Sequence, residues 1–216
     1  FLDGSQTISY ATLYNENIDG SKSDLSKINE VSYAGGFAGV LIIPEDSNTK
    51  SNSEVYDITV KGGFNISNSD NAGGIVGYLS NNSRISEVKF ELADNNQLIK
   101  GRNFVGGIVG ESYGVINKAV IEYAQEQQKE IDNSIESNNR ITGTYNLFKT
   151  DIKTVSVGGI AGYIKNGTIS NSYAKVNVIN SLGFIAGGIV GYAEDKVVLN
   201  TVYTTGAVYS AEIIGG

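Results

Sequence analysis

The chain has 216 residues, a formal net charge of −7 and no Cys, His, Met or Trp. These absences exclude disulfides, thiolate zinc sites and every nucleophile system that needs His or Cys, the Ser-His-Asp triad and the HExxH metalloprotease helix included. With no Met, Phe1 is not a translation start, so the chain reads as a fragment or processed form of a larger parent, and as a non-enzyme.

The acidic balance disfavours a nucleic-acid surface, where phosphates need clustered Lys and Arg, and an anionic membrane surface. The longest apolar stretch, residues 182–193, holds four glycines. It falls short of the roughly 18 residues that span a bilayer, so no membrane insertion by this segment is expected.

Residues 1–34 carry no recognisable repeat and read as an N-terminal cap or a degenerate coil. From Gly35 a glycine box recurs. Gly35-Gly36-Phe37-Ala38-Gly39 is followed by Gly73-Gly74-Ile75-Val76-Gly77, Gly106-Gly107-Ile108-Val109-Gly110, Gly158-Gly159-Ile160-Ala161-Gly162 and Gly187-Gly188-Ile189-Val190-Gly191. Gly215-Gly216 begins a sixth box, and the boxes hold 17 of the 27 glycines. From first glycine to first glycine the steps are 38, 33, 52, 29 and 28 residues. A unit of 28–29 residues with insertions is the mark of a repeat architecture.

After each box the pattern alternates with period two, as at Val88, Phe90, Leu92 and at Ala174, Val176, Val178, which predicts half-buried strands. Asn81-Asn82-Ser83 and Asn166-Gly167 are turn signals between box and strand. Two segments break the period. Residues 41–54 read as a polar exposed loop. Residues 123–154 read as an insertion whose start favours helix, with Ala124, Gln128, Ile131 and Ile135 on one face.

One unit cannot bury its own apolar face, but stacked units can. The fold expected is therefore all-β, a right-handed parallel β-solenoid of about five to six coils over residues 35–216, with one helical or loop insertion. Phe37, Ile75, Ile108, Ile160 and Ile189 are expected to form one inward ladder. The pattern leaves open which way the next position points (Ala38, Val76, Val109, Ala161, Val190). Glu111 falls in the slot of Tyr78, Tyr163 and Tyr192, which predicts that this slot faces solvent and offers an aromatic strip for protein or glycan contact.

Two other chemistries need weighing. GGxxG lacks the GxGxxG spacing and following helix of a phosphate loop, and five copies in series argue for structure. Aligning the strands on Ile85, Ile116 and Ile169 places Glu91, Glu122 and Lys175 at one offset. In adjacent coils the two carboxylates would lie about 5 Å apart, close to the spacing of a retaining glycosidase pair. The plainer reading is a solvated mixed-charge row with Lys89 and Lys118. No metal site and no cofactor is expected.

The boxes, with Gly167-Thr168-Ile169-Ser170-Asn171-Ser172-Tyr173-Ala174 and Asn200 to Gly206, resemble the GLUG repeat. The resemblance covers most of the chain from Gly35 on, with Ile or Phe replacing the box Leu. It implies a non-catalytic extracellular segment of a large bacterial surface or secreted protein, an adhesin or stalk, whose partner is a host or matrix protein or a glycan. Asn82 to Ile85 and Gly101 to Gly107 are similar in style to the repeat region of IgA-cleaving zinc metallopeptidases. That alternative implies immunoglobulin A as partner and a catalytic domain outside this chain. A weaker alternative is a carbohydrate-active β-helix using Glu91 and Glu122.

Overall fold

A computed structural model describes residues 7–8, 11–14, 18–19, 31–42, 54–62, 66–92, 98–123, 140–143, 156–180, 183–210 and 212–215. Among these residues there is no helix, and every strand pairing is parallel. The chain winds as a right-handed parallel β-solenoid with three sheets.

The first sheet, here sheet A, stacks Ala38–Leu41, Val76–Leu79, Val109–Ser112, Ala161–Lys165 and Val190–Glu194. Sheet B stacks Glu54–Gly62, Arg84–Leu92, Val115–Tyr123, Thr168–Lys175 and Val198–Thr205. Sheet C is bent: Ile66–Gly73 and Leu98–Gly106 run through both of its halves. In later coils each half has its own strand, Arg140–Gly143 with Ser156–Gly158, then Asn177–Asn180 with Ile185–Gly187, then Val208–Ser210 with Ile213–Gly215.

The N-terminal segment pairs as a coil. Thr7–Ile8 and Ala11–Tyr14 lie parallel to Glu54–Gly62, while Ile18–Asp19 and Val31–Gly35 lie parallel to Ile66–Gly73. The polar segment 41–54 joins sheet A to sheet B at a corner that Tyr113 and Gly114 alone turn two coils later. Its residues 43–53 lie outside the described residues. So does the helix expected at 124–131. The long insertion is interrupted: Arg140–Gly143 re-enters sheet C between Leu98–Gly101 and Asn177–Ile179.

Register places Ile85, Ile116, Ile169 and Leu199 in one row, with Val55 before them. Val55, Ile85, Ile116 and Ile169 point into one core, together with Val88, Phe90, Ala119, Ile121 and Ala174, whereas Leu199 in the last coil is exposed. In the box ladder Ile75, Ile108 and Ile160 are fully buried, whereas Phe37 and Ile189, nearer the two ends, are partly buried against the same core. The adjacent row is buried too: Ala38, Val76, Val109 and Ala161 are at most 6% exposed.

The box glycines are required by space, not by a left-handed backbone. A Cβ on Gly106 would sit 1.9 Å from the carbonyl oxygen of Val109, inside the turn it makes. The third glycine of each box lets sheet A lie flush on the backbone of sheet C. The box amides are consumed by stacking. Ile75 N donates to Ile108 O at 3.0 Å, Ile108 N to Ile160 O at 3.0 Å and Ile160 N to Ile189 O at 2.8 Å. Gly74 N donates to Gly106 O at 3.3 Å and Gly107 N to Gly158 O at 3.2 Å. These N–H groups are thus not arranged to cradle a phosphate.

Sheet B carries a corner of its own. Asp57, Glu87, Lys118, Asn171 and Thr201 occupy one place in successive coils, all with φ between 50° and 55°. The corner shifts the inward pattern from 85 to 88 and from 116 to 119, after which period two resumes. A left-handed φ strains residues with a Cβ, least of all Asn and most of all the β-branched types. Thr201, at φ 54°, is the exposed β-branched member. We expect Thr201→Asn to raise stability by about 1 kcal/mol. That corresponds to a Tm gain of roughly 2–4 °C by calorimetry in a chain of this size. An unchanged or lower Tm would remove strain as the description of this corner.

Candidate binding cleft

Sheet A aligns Val40, Tyr78, Glu111, Tyr163 and Tyr192 in one row across five coils. The sequence predicts that this row faces solvent. The structure corrects that: Glu111 is 9% exposed and Tyr163 7%, and only Tyr192, at 43%, is open. The reason is cover from other elements. Tyr33 packs on Tyr78 with centroids 5.2 Å apart, and Tyr113, from the turn after sheet A, lies 5.7 Å from Tyr78 and 6.0 Å from Tyr163. Phe104 of sheet C stacks on Tyr163 at 4.7 Å, and Tyr192 lies 5.7 Å beyond. Tyr78, Tyr163 and Tyr192 are therefore members of a continuous aromatic cluster, not an exposed strip.

Sequence reasoning missed Tyr33, Phe104 and Tyr113. A signal exists for the first two, since Tyr33 stands two residues before Gly35 and Phe104 two before Gly106, in register with Asn71. Tyr113 carries no such signal, because it belongs to a turn of variable sequence.

At the edge of this cluster is an open cleft of about 390 Å³, lined by Asn103, Phe104, Glu111, Tyr113, Tyr163, Tyr192 and Glu194. Stacking brings these residues together from three coils. Glu111 accepts hydrogen bonds from Asn71 Nδ2 at 2.5 Å and from the Tyr113 hydroxyl at 2.8 Å. Glu194 accepts from the Tyr163 hydroxyl at 2.7 Å and from Lys165 Nζ at 2.6 Å. Burial, then the hydrogen bond to a carboxylate, pushes the Tyr113 and Tyr163 phenols far above their ordinary value. Both stay protonated donors at any physiological pH. Lys165 and then Tyr163 hold the Glu194 carboxyl below the usual glutamate range, so it stays ionised. The cleft is thus apolar in its ring faces and acidic at its polar points.

The carboxylates singled out on sheet B do come together. Register pairs Lys61 with Glu91, Glu91 with Glu122 and Glu122 with Lys175. They form a charge ladder: Lys89 Nζ lies 2.8 Å from Glu91 and 2.9 Å from Glu122, Lys61 lies 3.3 Å from Glu91, and Lys175 lies 3.8 Å from Glu122. Lys118 pairs with Glu87 at 2.6 Å on the neighbouring corner. The hydrogen bond from Lys89 outweighs burial and holds the Glu91 carboxyl below its ordinary value. A general acid in glycoside cleavage needs the opposite shift.

The folded-state pKa of Glu91 lies below the unfolded value. Its contribution to stability is therefore full above the ordinary glutamate value of about 4.5 and fades as pH falls through the folded value. Glu91→Gln should lower Tm at pH 7 and have little effect near pH 3. Equal losses at both pH values would show that packing, not charge, holds this row.

Glu194 and Asp195 share Lys165, whose Nζ lies 2.6 Å and 3.3 Å from them. Asp94, Asn95 and Asn96 lie outside the described residues. Among the described residues no group of three or more Asp or Glu side chains is placed to hold a metal ion. Comparison with known proteins finds no match: no family model, no curated protein and no solved structure resembles this chain closely enough to assign it.

Proposed function

We propose that this chain is a non-catalytic binding segment of an extracellular bacterial surface protein, a rod that spaces and presents contact surface for adhesion. The observation that carries the reading is the aromatic cleft, where rings and carboxylates from three coils converge on an open face. Tyrosine and other aromatics supply most of the energy at recognition surfaces, because they bury large area at low entropic cost. The rod supports this use. Stacked coils hold successive surfaces at a fixed spacing, so weak contacts add. The extracellular bacterial setting rests on the resemblance of the boxes to the GLUG repeat.

A second reading makes the same rod the substrate-engaging region of an IgA-type zinc metallopeptidase. It needs the same cleft and differs in the parent's other domains. Sequencing the parent reading frame through both flanks separates the two: a HExxH helix supports the peptidase, and further glycine boxes running to an anchor support the adhesin. For Glu91 and Glu122 as a glycosidase pair, the ion pairs described above offer no support.

The test is surface plasmon resonance of the chain against matrix proteins, immunoglobulin A and a glycan panel, with Tyr192→Ala as the variant. Tyr192 is exposed, so its loss leaves the core intact. At least a tenfold fall in affinity for whichever partner binds is expected, a change of about 1.4 kcal/mol. Undiminished binding would move the contact surface away from the cleft.

A further inference from the structure

The chemistry of the cleft narrows what enters it, and this inference rests on the binding reading above. Two of the cleft's hydrogen-bond donors are already committed. The hydroxyls of Tyr113 and Tyr163 donate to Glu111 and Glu194. Each carboxylate oxygen keeps further acceptor capacity, and each phenolic oxygen can still accept. Beneath the cleft Asn71 is 5% exposed, its Nδ2 is spent on Glu111, and its Oδ1 has no hydrogen-bond partner. Acceptors thus gather here, at Glu111, Glu194 and Asn71 Oδ1.

Charge points the same way. Two carboxylates line the cleft, and the chain carries a net charge of −7. Lys165 pairs with Glu194. Asn71 and Tyr113 donate to Glu111. Flat ring faces complete the lining, with Phe104 and Tyr163 stacked at an interplanar angle of 22°. The volume of about 390 Å³ suits a small group or a single side chain.

We propose that the cleft binds the guanidinium of an arginine side chain, carried by a basic segment of a partner protein. Its plane lies on the open Tyr192 ring while its N–H groups donate to Glu111 and Glu194. Arginine fits better than the alternatives. A guanidinium is planar, weakly hydrated, stacks on aromatic faces and offers five donors with no acceptor. A lysine ammonium is a strongly hydrated point charge and loses more water on entry. A neutral sugar brings acceptors as well as donors and leaves some of them facing carboxylates. An anion is repelled.

The test follows the ring resonances of Tyr113, Tyr163 and Tyr192 by NMR in protein labelled with 13C-tyrosine. The probes are N-acetyl-arginine amide, N-acetyl-lysine amide and neutral chitotetraose. Saturable shifts are expected with the arginine probe, with at least threefold weaker binding of the lysine probe. Glu194→Gln should weaken arginine binding at least fivefold, and raising the salt from 50 to 500 mM should weaken it further. The tyrosine spectrum itself reports that the variant is folded. Shifts with chitotetraose and not with arginine would overturn the arginine assignment and keep the binding reading. Rings unmoved by every probe would overturn the assignment. The binding reading would fall with it only if Tyr192→Ala also left the surface panel unchanged.

Discussion

Gly162→Ala should destabilise this protein by about 3 kcal/mol or more, at or above the upper end for an added core methyl group. A Cβ at this position would lie 2.4 Å from the Val105 nitrogen and 2.8 Å from both the Gly110 oxygen and the Phe104 carbonyl carbon. All three are backbone atoms of neighbouring strands. No rotamer change relieves such a clash, so sheet A must lift off sheet C. For a chain of this size the expected fall in Tm is roughly 6–12 °C. The site would suffer as well, because Tyr163 follows directly and its ring stacks on Phe104. Gly215→Ala is the control: nothing lies within 4 Å of its Cβ position, and Tm should hold. Equal tolerance of both changes would contradict the flush packing of the two sheets.

Phe90→Ala is the second large effect. Phe90 is 1% exposed and is the largest fully buried side chain among the described residues. It sits in register between Val60 and Ile121, and its ring fills the space above Gly74. Truncating a buried Phe costs about 3–5 kcal/mol, through lost burial and the cavity left behind. Neighbouring coils are fixed by their own ladders and have little freedom to collapse into the gap. Denaturant unfolding should show the midpoint falling with the slope unchanged. Tyr209→Ala, at a side chain 53% exposed, should stay within about 0.5 kcal/mol of the parent chain.

What was legible in the sequence was whatever repeats. Five boxes in register disclose the inward ladder at Ile75, Ile108 and Ile160, because each coil repeats the same steric need for glycine beside a branched apolar residue. The alignment on Ile85, Ile116 and Ile169 gives the sheet B register for the same reason, and with it the pairing of Glu91 with Glu122. The corner at Asp57, Glu87, Lys118, Asn171 and Thr201 was not legible. Its backbone is uniform, but its side chains point to solvent and share no residue type. Arg140–Gly143 was hidden because a short strand without a box has only its place in the stack to identify it. The cleft was half legible. Tyr78, Tyr163 and Tyr192 share a slot, but their cover comes from Tyr33, Phe104 and Tyr113, whose approach depends on three sheets folding round one core.

Everything argued for the cleft depends on the coils stacking in parallel register, since that alone brings Phe104, Glu111, Tyr163 and Glu194 to one place. With no native Cys, paired cysteine substitutions read this stacking cleanly. Asn117 and Ser170 are register partners in adjacent coils, and their side chains meet at 3.0 Å. Neighbouring strands lie about 4.8 Å apart, within the span a disulfide bridges. Asn200 lies in the same row one coil further on, about twice that distance from Asn117 and beyond a disulfide's reach. Mild oxidation should therefore close Asn117→Cys/Ser170→Cys nearly completely and leave Asn117→Cys/Asn200→Cys open. If the second pair closes as readily as the first, or neither closes, the stacked register is wrong and the cleft goes with it.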